Sequence, residues 1–412
     1  MATDIKDTTR AVEAAAVMGL LPARPRLLAL GEPAHGEESL LELRNELFRQ
    51  LVEQEGYRTI AIESDCLAGL AVDDCVTSAT GTLDEALEHG FSHPDLGLST
   101  SAANRELVRW MRAHNDGRPP SEQVRFAGLD GPLEITHAAS PRRALTALHD
   151  HLRARVAADL LPCTGETLHR LLGADENWTD PAAMTDPSRS VGRTAGAGRL
   201  RLLADDLVAL LDAQTPHLLA TAPRDEWERA RLYGRTATGL LRYHYWMADT
   251  SPARMTRLCA LRALMMADNL LAVAERGPAL VHAHNIHLQR EKSTMQMWQG
   301  PVEWWGAGAL LSARLGEEYA FVATALGTIR HRGVDTPPPD TVEGLLYALP
   351  EDRCLVDAPR LAAALGTAPP APRVSPWFGY APLDPAGLAR RDGIVFLKDL
   401  PRDPRDAADS GR

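Results

Sequence analysis

Cysteine is scarce and scattered. There are five in 412 residues (Cys66, Cys75, Cys163, Cys259 and Cys354), an odd number with no C-x-x-C pair. That pattern argues against a disulfide framework and against cysteine-ligated zinc, and it fits a reducing compartment. No uncharged apolar run of about 20 residues occurs, so no membrane span is expected. Residues 1–23 lack the basic segment followed by a continuous apolar run that marks a secretory signal, and the expected location is the cytoplasm. Lysine is nearly absent (Lys6, Lys292 and Lys398), the other basic residues all being arginine. Acidic residues outnumber basic ones, 44 − 55 = −11, so the chain has no electrostatic footprint for nucleic acid. Several motifs are also missing: the G-x-S-x-G elbow of a serine hydrolase, H-E-x-x-H, a G-x-G-x-x-G turn after a strand, and G-x-x-x-x-G-K-[ST]. Nicotinamide, nucleoside triphosphate and nucleophilic-serine chemistry therefore lack their usual signatures.

What remains is an ordinary globular composition, 45% hydrophobic and 24% charged, at a length that suits two or three domains of roughly 150 residues. Short apolar runs read as buried strands at Leu27–Leu30, Thr59–Ile62, Val124–Leu129, Pro278–Val281, Tyr319–Thr324, Arg353–Val356 and Gly393–Leu397. Helices are expected from Ser39 onward, over Leu67–Val76 and over Ala102–Ala113. Strands alternating with helices predict an α/β fold, a mostly parallel sheet covered by helices on both faces. Between Pro132 and Arg276 the pattern changes to Ala/Leu/Arg-rich helix with a polar loop near 178–199. The organisation expected is a lead-in segment over 1–24, a first part of the α/β core over 25–131, a helical insert over 132–276, a second core part over 277–400 and a flexible tail over 401–412. The insert would form one wall of an active-site cleft. No internal repeat is present.

Polar residues gather where the strands end. Leu27–Leu30 runs into Gly31-Glu32-Pro33-Ala34-His35-Gly36, Thr59–Ile62 into Glu63-Ser64-Asp65, Val124–Leu129 into Asp130, and Ala279–Ala283 into His284-Asn285-Ile286-His287. In a parallel sheet these ends share one edge, where ligands bind. Turn and capping chemistry explains any one segment but explains all four together poorly. Arg44 adds a separate clue. At 100° per residue it falls near the centre of a face formed by Leu40, Leu47 and Leu51. A buried guanidinium needs a partner, and Glu32 and Glu63 are the carboxylates expected to supply one.

These residues resemble the opening of the erythromycin esterase family, which reads G-E-x-x-H-G, then a helix bearing Arg, then an apolar strand ending in Glu. The resemblance continues at Phe126-Ala127-Gly128-Leu129-Asp130, at Ala283-His284-Asn285-Ile286-His287, at Leu315-Gly316-Glu317-Glu318-Tyr319 and at Arg391-Asp392-Gly393-Ile394-Val395. It spans about residues 25–400 and is weakest in the helical insert. Ala34 departs from the Ser or Thr frequent at that position. The resemblance implies hydrolysis of a macrolactone or related ester without a bound metal. By it, His35 is the base that activates water, and Glu32, Arg44, Glu63, His284 and His287 line the same pocket.

The residue chemistry agrees with that implication. A His on a turn after a buried strand suits proton abstraction from water, with Glu32 or Glu63 orienting the ring. Arg44, His284 or His287 is expected to stabilise the oxyanion, and Asp130 and Asn285 to bind substrate. The expected partner is a small molecule, a macrolide or other polyketide-like ester, in antibiotic resistance or natural-product biosynthesis. No cofactor is expected. The same His and carboxylate set would suffice chemically for zinc or manganese, but a cation there would face Arg44, and no metal is expected. An alternative keeps the site and changes the reaction to cyclisation, elimination or transacylation. His89, His93, His244 and His282 are read as structural, and Trp304-Trp305 and Tyr243-Tyr245-Trp246 as core packing in preference to the lining of an apolar substrate pocket.

Overall fold

The computed structural model describes residues 5, 7–78, 80–91, 101–134, 137–297, 300–366, 369–375, 377 and 379–401. His93 and the expected tail beyond residue 401 lie outside this set. A sheet of eight strands runs through the molecule: β1 (Thr9–Arg10), β2 (Leu27–Glu32), β3 (Thr59–Asp65), β4 (Arg125–Asp130), β5 (Ala279–His284), β8 (Tyr319–Thr328), β9 (Arg353–Asp357) and β10 (Gly393–Asp399). Their order is β1-β9-β10-β8-β2-β5-β3-β4, and every pairing from β10 to β4 is parallel. Only β9 runs antiparallel to its neighbours at one edge. Two further strands, β6 (Lys292–Met297) and β7 (Gly300–Trp305), form a separate antiparallel hairpin.

Successive strand residues point to opposite faces, and each face has its own apolar core. Leu28, Leu30, Ile60, Ile62, Leu280 and Val322 pack under helices α1 (Glu38–Glu55), α2 (Gly69–Thr77) and α3 (Ala102–Asn115). Leu27, Ala29, Ala61, Val281, Phe321 and Ala323 pack on the other side. Burial on both faces is why these strands read as continuous apolar runs. A third core lies where Leu148 of α4 (Arg142–Arg153), Leu207 of α5 (Ala195–Ala213) and Leu241 of α6 (Arg224–Met247) meet, within the span 132–276 expected as a helical insert.

Helix α7 (Arg254–Ala274) joins the two parts. Its C-terminal half, through Met266, Leu270 and Val273, packs on the sheet, while Met255 and Leu258 pack with Tyr243 of α6 and with Met297, Val302 and Trp304 of the hairpin. Sequence pattern places α7 with the insert; structurally it also covers the core.

Candidate active site

Three neighbouring strands end at one place. Register puts Glu32 of β2 directly beside His284 of β5, and Ile62 of β3 beside His282, so Glu63 follows one residue later at the same edge. A short helix, α8 (Asn285–Leu288), then turns His287 back over that edge. The loop after β2 carries His35, and two glycines allow its path. A Cβ at Gly31 would stand 2.1 Å from Asn285 Oδ1, and Gly36 adopts φ 77°, a conformation that L side chains rarely adopt.

His35 Nδ1 donates to Glu32 Oε1 at 2.6 Å, and its Nε2 lies 3.9 Å from Glu63 Oε2. The ring is mostly enclosed, with 23% of its side chain exposed. Burial alone would lower its pKa, but the Glu63 charge and the Glu32 hydrogen bond outweigh burial and raise it to about 9. Glu63 is the hub. It accepts the His284 backbone N–H at 2.8 Å, and its Oε1 lies 3.1 Å from His287 Nε2. Burial opposes its ionisation, yet His287, His35 and Arg262 hold its carboxyl well below the usual range. Burial opposes ionisation of Glu32 too, and His282 and His35 outweigh it.

Two further imidazoles, His284 and His282, stay neutral. Burial, reinforced by the His35 charge, lowers His284 to about 3. Its Nδ1 accepts the Ile286 N–H at 3.3 Å, so the proton sits on Nε2, which donates to the Pro33 carbonyl at 3.2 Å. His282, read from sequence as structural, lies 3.7 Å from the far oxygen of Glu32, and burial lowers it to about 4.

A cavity of about 630 Å³ opens above this edge. His35, Glu63, His284 and His287 form part of its floor, and Met255, Leu258, Met295, Trp304, Trp377 and Tyr380 are among its apolar walls. Tyr243 and Trp304 thus serve as core and as lining together. Trp305 is exposed on the hairpin's outer side.

Several expected roles change. Arg44 is fully buried, as its place on the helix face requires, but its guanidinium donates to the Asn45 and Asn104 side-chain carbonyls and not to Glu32 or Glu63. Burial lowers its pKa to about 10. It lies behind the site, outside the cavity lining. Asp130 is completely buried and accepts two hydrogen bonds from Arg262, at 2.9 and 2.6 Å, so it holds a side chain of the cavity and does not itself line it. Asn285 spends its amide on Thr324, donating to the carbonyl at 2.9 Å and accepting the N–H at 3.3 Å. Its role is to tie α8 to β8. Asp130 and Asn285, expected from sequence to bind substrate, spend these atoms on Arg262 and Thr324 and lie outside the cavity lining.

Arg262 is the site residue that sequence reasoning missed. It lies in the cavity lining, 2.6 Å from Asp130 and 3.5 Å from Glu63. Burial would lower its pKa, but Asp130 and Glu63 raise it, so the guanidinium is charged. The signal was available: Leu258, Arg262, Met265 and Met266 share one helix face, the same pattern that singled out Arg44.

With this geometry in view, the sequence match decides the family. The erythromycin esterase family model matches residues 52–399, most of the chain. The chain belongs to the erythromycin esterase family. The matched span begins after the turn that carries His35 and takes in Glu63, Arg262, His284 and His287. Solved structures sharing the fold include a succinoglycan biosynthesis protein (17% identity, TM-score 0.70, 97% of this chain and 96% of that one). A Bacillus cereus protein is similar over 97% of both chains (17%, 0.68). A third is a histidine-to-asparagine mutant of erythromycin esterase EreC in its open conformation (18%, 0.66, 94% of both chains). Family membership makes the protein an esterase-like hydrolase of a small molecule. Among the described residues no helix is long and apolar enough to cross a membrane.

Proposed function

We propose that the protein hydrolyses an ester or lactone of a bulky, largely apolar natural product, with His35 as the base that activates water. The observation that carries this reading is the His35 ring itself. Nδ1 is fixed by Glu32 at 2.6 Å, which leaves Nε2 as the nitrogen available at the cavity floor. A base so oriented meets the geometric requirement for proton abstraction.

Water enters as nucleophile when the ring is neutral. With a pKa of about 9, only about 1% of the resting enzyme is in that form at pH 7. Attack on the carbonyl carbon moves the water proton to Nε2, and Glu32 stabilises the imidazolium. Oxyanion charge builds next to Arg262, a charged group of the cavity lining, whereas Arg44 lies outside that lining and His284 donates its one ring N–H to Pro33. The imidazolium then protonates the departing alkoxide. Glu63 keeps His287 and the β5 end in place throughout.

The test is incubation with a panel of macrolactones and simple esters in ¹⁸O-water, read by mass spectrometry. Label in the product carboxylate is expected. Conversion without ¹⁸O in the product would transfer the site to the alternative of cyclisation, elimination or transacylation, and no conversion across the panel would contradict the esterase reading.

A further inference from the structure

One wall of the cavity is held by machinery that takes no part in this chemistry. Arg373 is buried, and its guanidinium donates to the carbonyls of Leu326 (2.7 Å) and Gly327 (2.8 Å) on β8 and of Asp335 (2.7 Å). Its fourth bond, at 2.9 Å, goes to the hydroxyl of Tyr380, a cavity-lining side chain. Charge-assisted bonds of this kind are about twice as strong as neutral ones, and four converge on one planar group. Three residues on, the Leu383 N–H donates to the buried carboxyl of Glu343 at 2.8 Å. Between these two fixed points the Ala381 N–H donates at 2.8 Å to the Pro33 carbonyl. That carbonyl belongs to the turn bearing His35, and it also accepts the His284 Nε2 proton. Tyr380, Ala381 and the catalytic turn are therefore tied into one frame whose far anchor is Arg373.

We propose that Arg373 is a positioning residue for substrate selection: by fixing Tyr380 and Ala381 it sets the wall that bulky substrates pack against. The proposal rests on the esterase reading only for its kinetic consequence. A wall that shifts loses contact with a large acyl or alkoxy group and little with a small one, which is a change in discrimination and not a uniform loss.

The test compares wild type, Arg373→Gln and the milder Tyr380→Phe, which removes a single hydroxyl. The first readout is the ratio of kcat/KM for a bulky aryl ester over 4-nitrophenyl acetate. It is expected to fall roughly tenfold in Arg373→Gln and roughly threefold in Tyr380→Phe, whose lost hydroxyl bonds both Arg373 and Glu343. The second readout is hydrogen exchange by mass spectrometry. Peptides covering 31–37 and 379–383 are expected to exchange faster together, with 142–153 in the insert unchanged. Equal loss of kcat/KM on both esters, or unchanged exchange in the two peptides, would overturn the proposal. Should Arg373→Gln fail to fold, Tyr380→Phe decides on both readouts. A wild type inactive on both esters would contradict the esterase reading, while the exchange result would still decide whether Arg373 clamps the wall.

Discussion

Replacing Glu63 by Gln tests whether its charge poises His35. The facing atoms, His35 Nε2 and Glu63 Oε2, are 3.9 Å apart. At an effective dielectric of about 20, a unit pair at that distance interacts by about 4 kcal/mol, or about 3 pKa units. Glu63→Gln keeps the shape and removes the charge, so the His35 pKa falls from about 9 toward about 6. The assay is the pH profile of kcat/KM on an ester, together with NMR titration of the His35 ring, assigned by its absence in a His35→Gln sample. Wild type is expected to gain activity up to about pH 9, and the variant to reach its plateau far earlier. The same shift has a stability consequence of definite sign. Because the folded pKa is raised above the ordinary 6.5, the charged ring stabilises the fold by about 3 kcal/mol below that pH, and this is lost as pH rises through about 9. In Glu63→Gln that pH dependence should largely vanish. A ring that still titrates near 9 in the variant would refute the reasoning.

Three further outcomes follow from the contacts. Arg262→Leu leaves Asp130 buried and unpaired, so it is expected to destabilise the fold by about 3–5 kcal/mol in urea unfolding. The double variant with Asp130→Asn should recover much of that stability while remaining inactive; no recovery would deny the coupling. Asn285→Ala is expected to cost about 2 kcal/mol with KM unchanged, since its two bonds go to Thr324. A raised KM with unaltered stability would restore it to substrate binding. Exhaustive chelation is expected to leave ester hydrolysis unchanged, checked by elemental analysis of protein purified without a metal-affinity tag. Activity lost to chelation and restored by one ion would contradict a free His35 base.

Much of the sheet was legible because its strands are buried on both faces, and continuous apolar runs such as Leu27–Leu30 leave little ambiguity. The hairpin β6–β7 was not. One side faces solvent, so Lys292, Thr294, Gln296 and Glu303 alternate with Ser293, Met297, Val302 and Trp304 and no continuous apolar run marks the strands. At two residues, β1 is too short to show a period. In the site, strand ends were readable in one dimension, which is why Glu32, His35, Glu63, His284 and His287 emerged together. Which polar atom meets which is a matter of register and helix packing. Sequence therefore gave Arg44 a carboxylate it does not touch, gave Asp130 and Asn285 a ligand where they hold other residues, and hid Arg262 among the apolar residues of a long helix.

The central claim is that His35 removes the proton from water, and turnover by His35→Gln tests it most directly. Glutamine keeps a polar side chain of similar reach but has no basic nitrogen. With folding confirmed by circular dichroism and thermal melting, kcat on the best ester found in the labelled-water screen is predicted to fall at least about a hundredfold. The profile between neutrality and about pH 9 should flatten with it. A folded His35→Gln enzyme that keeps most of its kcat and the same pH profile would contradict the account and leave the proton transfer to another group on the cavity floor.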